Sequence, residues 1–259
     1  MHRQLLLAFA LFPLHPLGHQ LKVDLQWSIC EINPQIALQK LGDNGTREPD
    51  KNAPVTYYDT EPPSYIWSGL MFRTKTRRDE QLSVVKAHFD PRALDIPHKL
   101  FRGKGAHVKS PVSNTSEEFL CVWDRYGNDV SFTCQIQSPL AGRKELWTDD
   151  QIRFAGLFQT VAWRDLVSFG PNSNPKWHLN VTGYKAVFDD VQTGHLHLME
   201  LEVKVLMHEG DKAYEMITRH LKERGIVLCS KQQPKTERLF QAMGYDKMGC
   251  LDGLVDWSG

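Results

Sequence analysis

Apolar and polar residues alternate with a period of two along most of this chain, and that alternation restricts the fold more than any other feature. Met199-Glu-Leu-Glu-Val-Lys-Val205 is the plainest case: Leu201, Val203 and Val205 share one face, Glu200, Glu202 and Lys204 the other. Leu21 to Trp27 reads the same way, with Leu21, Val23, Leu25 and Trp27 opposite Lys22, Asp24 and Gln26. Leu70 to Arg77 puts Arg73, Lys75 and Arg77 on one face. Further strand signals cover residues 55–58, 82–89, 177–181, 184–188 and 196–206, and the pair 119–125 and 130–136 flanks a Tyr126-Gly127-Asn128-Asp129 turn. Helical periodicity is confined to residues 34–41, 149–158, 212–224 and a short stretch at 238–243. Residues 42–54 and 102–116 read as loops. Many strands and few helices predict a mainly β (α+β) fold, a largely antiparallel barrel with peripheral helices. No glycine-rich phosphate loop follows a strand, so a P-loop or Rossmann nucleotide fold is not supported.

Charge excludes one class of partner. Lysine plus arginine and aspartate plus glutamate number 31 each, and a dedicated nucleic-acid binder carries a basic excess instead. A local basic pocket balanced by acids elsewhere stays open. The N-terminus reads as a signal peptide over residues 1–18: His2 and Arg3, an apolar run from Leu5 to Leu14 broken by Pro13, then Gly18. The run is shorter than the about 20 residues a bilayer span needs. A buried N-terminal strand or helix is the alternative, and Pro16 makes a poor cleavage site. Residues 19–259 then form one domain. Sequons at Asn44, Asn114 and Asn180 point, with the leader, to a secreted glycoprotein, against a cytoplasmic alternative. The cysteines match no zinc spacing and read as disulfides or core; Cys121 and Cys134, in neighbouring strand-like runs, are placed for a cross-strand bridge, and an odd total of 5 leaves one over.

Two constellations carry chemistry. Arg73, Lys75 and Arg77 at i, i+2, i+4 form a basic row on one strand face, and Lys86 follows on the next strand run. If that face lines a barrel the charges converge on a polyanion; if it faces outward they are a solvated sheet face. Glu200 and Glu202 stand side by side on one strand face, a pair that repels unless a cation lies between them, or else a solvent-facing edge. His195 and His197 also have i, i+2 spacing for a metal but share parity with Leu201 rather than with Glu200.

Taken in order, five segments resemble the CYTH superfamily, the triphosphate tunnel metalloenzymes: Tyr57-Tyr58-Asp59-Thr60, Leu70-Met-Phe-Arg-Thr-Lys75, Leu82-Ser-Val-Val-Lys86, Glu200-Leu-Glu202, and a helix from Lys212 followed by Pro234-Lys-Thr-Glu-Arg238. The resemblance covers residues 21 to 243. It implies an eight-stranded antiparallel barrel open as a tunnel. By position it implies that Arg73, Lys75 and Lys86 hold phosphate oxygens, with Lys185, Asp189, Lys235 and Arg238 near them. It further implies that Glu200, Glu202 and Asp24 hold Mg2+ or Mn2+, and that Glu200, Glu202 and Lys86 take part in catalysis. The activity it implies is a metal-dependent phosphohydrolase acting on a triphosphate or related polyphosphate. The partner is a small phosphate-containing ligand, with no nucleic acid and no membrane in the mature form; oligomeric state is not legible. The family's opening Glu-x-Glu-x-Lys is here Lys22-x-Asp24-x-Gln26, and His178 stands where an arginine is expected. An inward Lys22 would put an ammonium near the cation's place. That departure favours an alternative: a non-catalytic secreted anion-binding protein with a degraded metal site.

Overall fold

The structure, a computed structural model, describes residues 22–89, 107–109 and 118–246. The apolar run at 5–14, Asn114 and Cys250 lie outside the described residues. The elements in chain order are β1 (Lys22–Ile29), α1 (Pro34–Lys40), β2 (Lys51–Asn52), β3 (Val55–Asp59), β4 (Leu70–Arg77), β5 (Glu80–Phe89), β6 (His107–Lys109), β7 (Glu118–Tyr126), β8 (Asp129–Pro139), α2 (Asp149–Gly156), β9 (Val167–Asn172), β10 (Pro175–Val181), β11 (Tyr184–Thr193), β12 (Leu196–Leu206), α3 (Gly210–Glu223) and α4 (Lys235–Ala242). No helix among the described residues is long and apolar enough to cross a membrane.

The strands form one curled sheet in the order β2-β10-β11-β12-β1-β7-β8-β5-β4-β3-β9, with β6 paired to β7 off that path. The expected count of eight strands is therefore too low. The strand runs read from the alternation are all present among the twelve, and the three that this reading missed are ones whose sequence carries no alternation. β2 is two residues inside a polar run, β6 is three residues inside a stretch read as loop, and β9 contains Gly170-Pro171. At that point β9 shifts register against β3, and a Cβ on Gly170, at φ +132°, would lie 3.0 Å from the Val55 carbonyl oxygen. The sheet is also not wholly antiparallel, because β1 pairs in parallel with β7. Lys51 to Asp59 joins the two edges of the curl: its first residues pair with β10 and its last with β4.

The alternation is distributed inside out, with the apolar face outward under helices. Val23, Leu25, Trp27 and Ile29 of β1, with Phe188, Met199, Leu201 and Val203 of β11 and β12, pack under α1 and α3 through Leu38, Tyr214, Ile217 and Leu221. Trp27 stacks on Tyr214 with ring centroids 4.9 Å apart, and its indole N–H donates to Thr218 Oγ1 at 2.8 Å. A second cluster sets Phe154 and Ala155 of α2 on Phe72, Val85, Cys134 and Ile136. Each such side chain contributes about 1.5–3 kcal/mol when fully buried. A one-residue slip would turn the whole set inward, so packing fixes which face looks into the lumen.

The inner face is polar, and two devices hold its end wall. The Cys30–Cys229 disulfide and the bonds Ser28 N–H to Gln232 Oε1 (2.8 Å) and Ser28 Oγ to the Gln233 carbonyl (2.9 Å) fasten the segment before α4 to β1. Leu239 and Phe240 of α4 then pack on Val55, Tyr57 and Met71, which also line the lumen. Cys121 and Cys134 form the cross-strand disulfide between β7 and β8.

Candidate functional site

The curl encloses a cavity of about 330 Å³ lined mainly by charged and polar side chains, with an apolar minority that includes Val55, Met71 and Val122. Of the residues singled out in the sequence, Asp24, Arg73, Lys75, Lys86, Asp189, Glu200, Glu202 and Lys235 line it together. They come from six separate elements, so only curling of the sheet unites them. Others do not reach it. Lys185 is exposed opposite Asn180 at the start of β11, four residues short of Asp189, where that strand meets the lumen. Arg238 instead donates to the carbonyl oxygens of Met199 (2.9 Å) and Ile29 (3.3 Å), tying α4 to the sheet. Lys22 is exposed at the strand's end, opposite Leu206, and lies outside the cavity lining. His178 is likewise exposed, bonded to Asp50, and the β10 side chain in the lumen is Lys176. His195 is exposed in a turn, and His197 bonds Asp190 at 2.6 Å.

One part of the lumen holds balanced charge. Asp189 accepts from Lys176 at 2.7 Å and from Lys235. Burial pushes the Asp189 carboxyl up, but those two ammonium groups outweigh it and hold it at about 2. Glu200 lies 3.4 Å from Lys235 and accepts from the Tyr126 hydroxyl at 2.9 Å, which also bonds Gln26. Burial raises the Glu200 pKa, and Lys235 works against it. Asp124, missed in the sequence because it ends a mostly apolar run, accepts from Lys86 (3.1 Å), Thr133 (2.7 Å) and Gln26 (3.1 Å). His88 sits beside this group, and burial, followed by Lys86, lowers its pKa to about 3, so the ring is neutral. Lys204 bridges Asp24 (3.1 Å) and Glu202 (3.9 Å).

The other part holds cations without partners. Among the described residues Arg73, Lys75, Arg77 and Lys51 form no ion pair, although all four line the cavity. The Nε of Arg73 is buried and unbonded. Burial, then the like charges of Arg73, Arg77, Lys176 and Lys86, lowers the Lys75 pKa to about 6. Like charges crowded together with no counter-ion cost stability, most for the half-buried Arg73 and Lys75; Arg77 and Lys51 are exposed at the rim. An anion carrying several charges would relieve it, with the arginines offering forked donors and the lysines point charges.

The carboxylates do not fit a resident Mg2+ or Mn2+. Such an ion needs several oxygens converging on one point. Among the described residues no group of three His, Cys, Asp or Glu side chains is placed to share one ion. Glu200 is held by Lys235 and Tyr126, while Asp24 and Glu202 share Lys204.

No family model and no curated protein matches the sequence. Among solved structures, the chain is similar to a Hippeastrum candidate adenylyl cyclase with a dominant triphosphatase activity, at 12% identity over 87% of this chain and 97% of that one, with a TM-score of 0.47. It is also similar to a candidate adenylate cyclase from Bacillus halodurans, at 8% identity over 84% and 96%, TM-score 0.48. A Pyrococcus horikoshii protein matches at 14% identity over 86% and 98%, TM-score 0.41. At these values the likeness says nothing about the site.

Proposed function

We propose that the lumen binds a linear phosphate chain, either tripolyphosphate or the triphosphate end of an organic molecule, and does so without a resident divalent cation. The observation that carries this is the set Arg73, Lys75 and Arg77, three cations lining one cavity, half-buried Arg73 and Lys75 inside and exposed Arg77 at the rim, with no counter-ion among the described residues. Lys86, though paired with Asp124, adds a fourth along the same wall. Hydrolysis by Glu200, Glu202 and Lys86 with Mg2+ or Mn2+ would first have to break the ion pairs that now hold those side chains. Binding is therefore the function favoured over metal-dependent phosphohydrolysis. Two disulfides and the exposed sequon asparagines Asn44 and Asn180 support an oxidising, secretory setting.

The test is calorimetry with tripolyphosphate in the presence of chelator, run beside a phosphate-release assay with Mg2+ or Mn2+. The expected outcome is saturable binding in chelator and no released phosphate. Arg73→Ala should weaken that binding about tenfold, the equivalent of one charge-assisted contact. Metal-dependent turnover would instead establish the hydrolase, and no binding under any condition would discard the polyphosphate ligand.

A further inference from the structure

The sequence leaves Lys204 as the third member of a Glu200, Glu202, Lys204 face, with no role of its own. The fold gives it one. Asp24 and Lys204 are direct partners across the β1–β12 pair, and Glu202 precedes Lys204 by two residues on the same inward face. Asp24 is also in register with Asp124 on the parallel strand β7, so three carboxylates come from the adjoining strands β12, β1 and β7, although as they stand the three are not placed to share one ion. Asp124 already has Lys86. Asp24 and Glu202 are left to one ammonium, that of Lys204, which is 45% exposed at the edge of the lumen. The second oxygen of Asp24 is buried and unbonded.

We propose that Lys204 is a built-in cation, its ammonium standing between Asp24 and Glu202 where a divalent metal would have to sit, so that the tunnel takes phosphate chains that are not chelated to a metal. The identity of the ligand rests on the reading above; the role of Lys204 does not. Whereas Mg2+ or Mn2+ brings two charges and asks for about six oxygens around it, a tethered ammonium neutralises one charge with three N–H donors. It therefore keeps Asp24 and Glu202 from repelling each other while denying them to Mg2+ or Mn2+. Its long stem reaches the pair only because the strand register sets Lys204 opposite Asp24.

Titration of the purified protein with Mn2+ alone, followed by calorimetry in the absence of phosphate, tests this. The wild-type protein should show no saturable uptake up to about 1 mM. Lys204→Met should acquire a saturable Mn2+ site at least tenfold tighter than anything in the wild type, corresponding to about 1.4 kcal/mol. Lys204→Arg, which keeps the cation, should behave as wild type. Tight Mn2+ binding by the wild type overturns the proposal, as does a folded Lys204→Met protein that gains no site. Should Lys204→Met fail to fold, the wild type and Lys204→Arg still decide it, since Mn2+ uptake by either overturns the idea. A wild type that takes neither Mn2+ nor tripolyphosphate defeats the polyphosphate reading and supports the role given to Lys204.

Discussion

Lys204 faces Asp24 across the β1–β12 pair with its ammonium 3.1 Å from the carboxylate, and this one contact sets the charge of that side of the lumen. The pair is unequal. Asp24 is buried, and burial first, then Glu202, raises its pKa to about 7 in spite of Lys204. A carboxyl whose folded pKa lies above its unfolded value of 3.8 stabilises the fold fully below that value and loses the contribution as pH rises towards 7. Asp24→Asn should therefore match wild type near pH 4 and exceed it at pH 7 by on the order of 2 kcal/mol. Urea unfolding across that range checks it; a difference that does not grow with pH would rule out Asp24 as the titrating group.

Lys75 has the opposite sign. Its folded pKa is lowered to about 6, so stability is complete above the unfolded value of 10.5 and is lost as pH falls towards 6. At pH 7 Lys75→Met should stabilise the ligand-free protein by about 1 kcal/mol, or about 2–4 °C in Tm. A bound polyanion would bring the proton back. Calorimetry at pH 7.5 in buffers of different ionisation enthalpy should then show uptake approaching one proton per tripolyphosphate in wild type and much less in Lys75→Met.

Arg238 and Lys235 should separate cleanly. Arg238 serves the carbonyl oxygens of Met199 and Ile29, whereas Lys235 enters the lumen. Arg238→Ala should cost about 2 kcal/mol of stability, because two buried carbonyls lose a charged donor, and leave tripolyphosphate affinity within about twofold. A large loss of affinity with unchanged stability would return Arg238 to the ligand site.

The two disulfides close loops of very different length, with sequence separations of 199 and 13. In the chain-entropy picture the longer closure should stabilise more, by about 2 kcal/mol. The double replacement of Cys30 and Cys229 by alanine should therefore lower Tm further than that of Cys121 and Cys134. It should also weaken tripolyphosphate binding, because Cys229 fastens the segment that delivers Lys235. Equal losses of Tm would contradict the ordering.

The sequence by itself determined which runs alternate and which residues share a face, because side-chain period is a local property; that the charged face turns inward and the apolar face outward under helices was decided by packing. Glu200, Glu202 and Lys204 share a face in any conformation that keeps their strand, as do Arg73, Lys75 and Arg77. The bridging pair Cys121 and Cys134 was legible too, from two strands joined by one turn. β2, β6 and β9 were not, since short or proline-interrupted strands exist only through the partners they pair with. Which lysine stands among the acids was likewise undecidable. Lys22 shares a face with Asp24 along the chain, but it falls at the strand's end, and the β1–β12 register brings in Lys204 from 180 positions away. Only the tertiary structure decided that, because strand register fixes which charges meet across a sheet, and register is set by the packing of the opposite, apolar face.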